Sequence, residues 1–79
     1  NLNMNTPTII IVHQDVPGMI AKVTDILSKF NINIAQMNVT REKAGENAIM
    51  IIEVDSRQCE HAIPEIEKIP HLHNITFFN

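Results

Sequence analysis

Chemistry in this chain concentrates in one short stretch, "VHQDVPGMI", residues 12–20. Asp15 offers a carboxylate that accepts hydrogen bonds from an ammonium group. A helix opening at Pro17, a residue suited to the first helical position, presents unpaired N–H groups and the positive end of its dipole. Such an end suits an anion, for instance a ligand carboxylate. Gly18 has no Cβ, so a ligand can approach the backbone closely. Ammonium and carboxylate side by side describe an amino acid. The same residues have a plainer reading, in which Asp15 caps the helix and Gly18 only permits close packing. The residues alone leave both open.

Little else in the chain has the makings of a reactive site. An enzyme needs a nucleophile with a base, an acid–base pair or a metal. His13, His61, His71 and His73 fall in different elements, and His71-x-His73 is too short for a helical metal pair. Cys59 lies on an apolar stripe and reads as core. A single cysteine excludes an internal disulfide and any closed all-cysteine metal site. It also fits a reducing compartment, and the expected location is cytoplasmic. Glu42, Lys43 and Glu46 read as a solvated turn. Net charge is −3 and there is no Trp or Tyr, which argues against a nucleic-acid footprint. No apolar run approaches the roughly 20 residues of a membrane span. The polar start without Met suggests a fragment of a longer chain, with residues 1–6 as linker and 7–79 as the domain.

The elements that must position the loop follow from periodicity. "TIIIVH", 8–13, is a dense β-branched run and predicts a buried strand. Met19, Ile20, Val23, Ile26, Leu27 and Phe30 form one helical stripe, stopped at Asn31. Residues 33–41 alternate, with Ala35, Met37 and Val39 opposite Ile34, Gln36, Asn38 and Thr40. "EKAGE" is a turn with Gly45 at positive φ. Residues 47–54 predict a third strand, and 74–78 a fourth. Asp55 or Ser56 is expected to cap a second helix bearing Cys59, Ala62, Ile63, Ile66 and Ile69. Pro64 should kink that helix or split it.

The order β-α-β-β-α-β predicts an α+β, ferredoxin-like sandwich. Right-handed crossovers place both helices on one face of an antiparallel sheet of order 4-1-3-2. The other face is expected to expose Ile9, Ile11, Ile49 and Ile51, which asks for a partner. Seventy-nine residues point the same way, since small domains often lean on a second chain. The sheet lacks the stacking aromatics of an RNA reader. The first loop lacks both the CxxC of a metal carrier and the Arg of an acylphosphatase-like site.

The run "HQDVPGMIAKVTDIL", the later "NINIAQMNVTR" and the tail "KIPHLHNITFF" resemble the ACT domain, a regulatory amino-acid-binding module. The resemblance spans roughly Pro7 to Phe78. In the tail, His71 stands where the family pattern has glycine. Within the family the likeness is greatest to domains at the C-terminal end of bacterial iron–sulfur L-serine dehydratase beta subunits. Those of phosphoglycerate dehydrogenases are a near second. The resemblance implies a homodimer that holds a small L-amino acid, serine first, between two copies. It places the ligand at His13, Gln14, Asp15, Val16, Pro17 and Gly18, with Asn33 of the neighbouring copy. Asp15 stands where some members have Asn. The resemblance further implies that the fragment itself is no enzyme, with no cofactor, and that a [4Fe–4S] cluster belongs elsewhere in the parent.

Overall fold

The computed structural model describes residues 6–41, 43, 45–57 and 59–78. Residues 1–5 of the expected linker, and Glu42 and Ala44 of the expected turn, lie outside the described residues. Six elements follow in the expected order: β1 (Thr8–Gln14), α1 (Met19–Lys29), β2 (Ile34–Arg41), β3 (Asn47–Val54), α2 (Ala62–Glu67) and β4 (Leu72–Phe78). The strands form one antiparallel sheet of order β2-β3-β1-β4. Both helices cover one face. Met19, Val23 and Leu27 of α1 and Ala62 and Ile66 of α2 share a single core with Ile9, Ile11, Met50 and Ile52. The ferredoxin-like plan is therefore the fold of this chain.

The bare face differs from expectation by one residue in β1. Ile9 and Ile11 are fully buried under the helices. The register pairs Ile10 with Ile51 and Val12 with Ile49, so these four, not Ile9 and Ile11, lie on the uncovered side. Four consecutive apolar residues at 9–12 carry no alternation from which to read a face. Only the pairing with β3, whose Ala48, Met50, Ile52 and Val54 are buried, sets the parity.

β2 departs in the same way. Its register shifts between Ile34 and Gln36, which leaves Ala35 as an unpaired bulge residue. Ile34 thereby turns toward the core and packs against it, while Ala35 is exposed. Gln36, Asn38 and Thr40 keep their expected side.

α1 ends as expected at Asn31, and its geometry shows why. Asn31 is left-handed, with φ 58°. Its N–H donates to the Ser28 carbonyl at 3.0 Å, and the Ile32 N–H donates to that of Leu27 at 2.9 Å. This is a Schellman closure, with Ile32 and Leu27 both in the core. The start of α1 is different. Pro17 and Gly18 form a turn before the helix, and Gly18 is the N-cap at φ 90°, a region other residues avoid. Glycine is required at that point by backbone geometry.

α2 begins at Ala62, not at Asp55 or Ser56. A separate turn precedes it, in which the Ala62 and Ile63 N–H groups donate to the Cys59 carbonyl. Pro64 then falls in the first turn of a six-residue helix, where its missing N–H is not needed. The expected kink or split is absent: α2 is one short helix that starts late enough to hold Pro64 in its first turn.

Candidate functional site

The loop after β1 is held by two neighbouring turns. The Gln14 N–H donates to the His71 carbonyl at 2.9 Å, and the Asp15 N–H to the Glu46 carbonyl at 2.6 Å. The Asp15 carboxylate does not cap α1, whose N-terminus has no side-chain cap. Instead its Oδ2 accepts from Arg41 Nη1 at 2.7 Å and from the Gly45 N–H at 3.3 Å. Gln14 reaches both turns. Its Nε2 lies 3.5 Å from the Gly45 carbonyl, and its Oε1 lies 3.2 Å from His71 Nδ1.

Arg41 sets the electrostatics. Its hydrogen bond to Asp15 is the largest influence and holds that carboxyl below its ordinary value. Partial desolvation opposes this, while the Gly45 N–H and the charge of Arg41 assist it. The register explains how an arginine on the far side of β3 arrives here. His13 pairs with Ala48 of β3, and Ala48 pairs with Arg41 of β2. The three form one row across the sheet, which sets Arg41 at the same end as the loop that follows His13.

His13 is buried, 2% exposed, on the helix side of the sheet. Its Nδ1 lies 2.9 Å from the Gln14 carbonyl oxygen. A carbonyl only accepts, so Nδ1 is the donor in this contact. Among the described residues, Nε2 is buried without a hydrogen-bond partner. An unmet buried polar atom costs about 1–3 kcal/mol and calls for an explanation. Val16 packs against the core, while Pro17 and Gly18 are exposed.

Asn33 lies elsewhere. Its Nδ2 donates to Asp55 Oδ2 at 2.6 Å, and its carbonyl accepts from the Asp55 N–H at 3.0 Å. β1 and β2 both run antiparallel to β3, so they run parallel to each other. The loop follows the end of β1 and Asn33 precedes the start of β2, which puts them at opposite ends of the sheet. Strands of this length separate those ends by roughly 23 Å. Each end has its own open groove. One of about 380 Å³ is lined by Gln14, Gly45, Glu46, Asn47 and His73. The other, about 470 Å³, lies between α1 and the start of β2, lined by Thr24, Ser28, Asn31, Ile32, Asn33 and Ile34.

Sequence reasoning missed Arg41 and Gly45 as partners of Asp15, because Arg41 reads as the polar end of a strand and "EKAGE" as solvent-facing turn. The signal available was the row just described, which needs the strand register. It also missed the backbone of His71, which is left-handed at φ 72°. The glycine of the family pattern at that position was the clue. Among the described residues there is no cluster of three His, Cys, Asp or Glu side chains for a metal. Cys59 is buried, and that burial pushes its thiol up, away from nucleophilic use. No helix among the described residues is long and apolar enough to cross a membrane.

Comparison with known proteins agrees with this geometry. Residues 7–71 match the ACT domain family model. The chain is 41% identical over 75 residues to a probable L-serine dehydratase beta chain of Bacillus subtilis, covering 95% of this chain and 34% of that protein. It is 36% identical to a D-3-phosphoglycerate dehydrogenase of Methanocaldococcus jannaschii, over 89% of this chain and 13% of that one. Among solved structures, the ACT domain of a Chlorobium tepidum GTP pyrophosphokinase superposes with TM-score 0.70 at 17% identity, over 91% of this chain and 83% of that one. A Thiobacillus denitrificans homoserine dehydrogenase gives 0.74 at 21%, over 98% and 18%. At such identities these two likenesses show the fold alone. The family model covers most of the chain, and the ACT domain structure superposes on the same fold: the chain belongs to the ACT domain family.

Proposed function

We propose that this chain is the regulatory amino-acid-binding module of an L-serine dehydratase, sensing serine or a similar small amino acid at an interface between two copies. The observation that carries the reading is the 41% identity, over 95% of this chain, to the Bacillus subtilis beta chain. Two features of the site support the ligand. His13 Nε2 is buried without a partner among the described residues, and a ligand hydroxyl, which both donates and accepts, would meet it. The uncapped start of α1 offers N–H groups to a carboxylate. The interface is supported by the separation of the loop from Asn33. One copy cannot close both around a small molecule. A two-fold axis pairing the exposed edges of β2 brings Asn33 of one copy toward the loop of the other, and shields those edges.

The fragment is then a cytoplasmic sensor and not itself a catalyst. Iron–sulfur clusters are held by cysteine thiolates, and the one cysteine here is buried in the core. Any cluster of the parent enzyme is therefore ligated by other residues. A second reading keeps the dimer and omits the ligand, making the chain an assembly module. The internal pairing of Asp15 with Arg41 favours it, because that carboxylate already has a cation. Calorimetry of the intact parent protein against L-serine and a panel of amino acids separates the two. Saturable binding of serine is expected, and heat from none of the panel leaves the assembly role alone standing.

A further inference from the structure

Asp15 has two carboxylate oxygens, and the molecule treats them differently. Oδ2 accepts from Arg41 Nη1 at 2.7 Å and from the Gly45 N–H at 3.3 Å. Among the described residues no hydrogen bond reaches Oδ1. The main chain at Asp15 is pinned as well, by its N–H on the Glu46 carbonyl. The carboxylate is thus anchored through one oxygen by Arg41 at the end of β2 and Gly45 in the turn that follows, and no described residue bonds the other.

We propose that Arg41 is a positioning residue of the ligand site, anchoring Asp15 Oδ2 so that Oδ1 is presented to the ammonium group of the ligand. The inference rests on the amino-acid-binding reading above and adds to it the residue that aims the carboxylate. Arg41 does not touch the ligand in this arrangement. It acts on the orientation of Asp15 and on its charge, and the planar guanidinium suits both, since it offers directed N–H donors and never loses its proton. Gly45, which read as part of a solvated turn, thereby joins Arg41 beside the binding site. The titratable and charged groups acting on Asp15 are Arg41 from β2, through a direct bond, and the His13 ring from β1. The lowered Asp15 value supports the same picture, because it keeps the carboxylate ionised further into acid.

The test uses the intact parent protein, with L-serine as the titrant, in wild type, Arg41→Gln and Arg41→Lys. Arg41→Gln should weaken serine binding on the order of fivefold at pH 7, the scale of one exposed charged contact. The sign of the pH effect follows from Asp15. In wild type its carboxyl stays ionised below the ordinary 3.8. Without Arg41 it rises toward that value, so the acid limb of binding moves to higher pH. Arg41→Lys should restore the acid limb, through its charge, and only part of the affinity. Wild-type binding with an Arg41→Gln affinity and acid limb both unchanged overturns this inference and leaves the sensor reading intact. A loss of affinity with an unmoved acid limb also overturns it, since Arg41 would then act by some route other than Asp15. No serine binding by wild type overturns the sensor reading and this inference with it.

Discussion

His71 is the residue whose backbone conformation the side chain fits least. An L-residue in the left-handed region costs about 1–2 kcal/mol relative to glycine, and His71 sits there at φ 72°. Its carbonyl accepts from Gln14 and its ring approaches the Gln14 side chain, so the strain lies beside the candidate ligand loop. Strain is commonly retained at such places. His71→Gly relieves it and loses only an exposed ring contact, but it also loosens the unfolded chain. The expected net result is a gain of about 1 kcal/mol, read as a higher urea midpoint with unchanged slope. A lower midpoint would mean that the His71–Gln14 contact outweighs the backbone cost. Gly18 and Gly45, at φ 90° and 83°, meet the same backbone demand without that cost.

At the level of elements, the parity of β1 decides what the sheet shows to solvent. Ile11 and Ile10 are neighbours of one type with opposite surroundings: Ile11 is sealed under the helices, and Ile10 is half-buried on the uncovered face. Truncation should separate them. Ile11→Ala removes a branched side chain from a close-packed site and should cost about 2–5 kcal/mol. Ile10→Ala should cost less than about 1 kcal/mol, as for a site that is already partly wet. Urea denaturation at low protein concentration reads both. Equal losses would contradict the register that pairs Ile9 with Ile52 and Ile11 with Met50. The short α2 tells a related story, since Pro64 set where a helix could exist but not how long it would be.

As a whole the molecule is a thin two-layer plate, with extents of 32 × 28 × 16 Å, helices on one side and bare sheet on the other. Ile49 is 43% exposed near the centre of the bare face and Phe78 53% exposed at its edge, with Ile10, Val12 and Ile51 partly exposed around them. Two surfaces thus compete as the interface for a second copy, this face and the edge of β2. Ile49→Asp distinguishes them in sedimentation experiments. If copies meet through the face, a buried unpaired charge should weaken association tenfold or more, on the order of 1.4 kcal/mol or above. If they meet through β2 edges, association should be unchanged, and the ligand geometry that needs Asn33 from a neighbour is favoured.

Local sequence determined the element order, the C-terminal end of α1, the glycine in the β2–β3 turn and the loop that carries Asp15. Each depends on periodicity, capping or turn chemistry within a few residues, and such preferences act before distant segments meet. The family likeness was legible for the same reason, in "DVPG" and "NINIA". Tertiary structure alone decided which face of β1 is bare, because "IIII"-like runs have no parity until a partner strand supplies it. It turned Ile34 inward through a bulge that only pairing with β3 defines. It also joined Asp15 to Arg41, 26 residues away, across the width of β3. That last contact is a product of register, since the pairing of His13 with Ala48 and of Ala48 with Arg41 brings the end of β2 to the loop that carries Asp15.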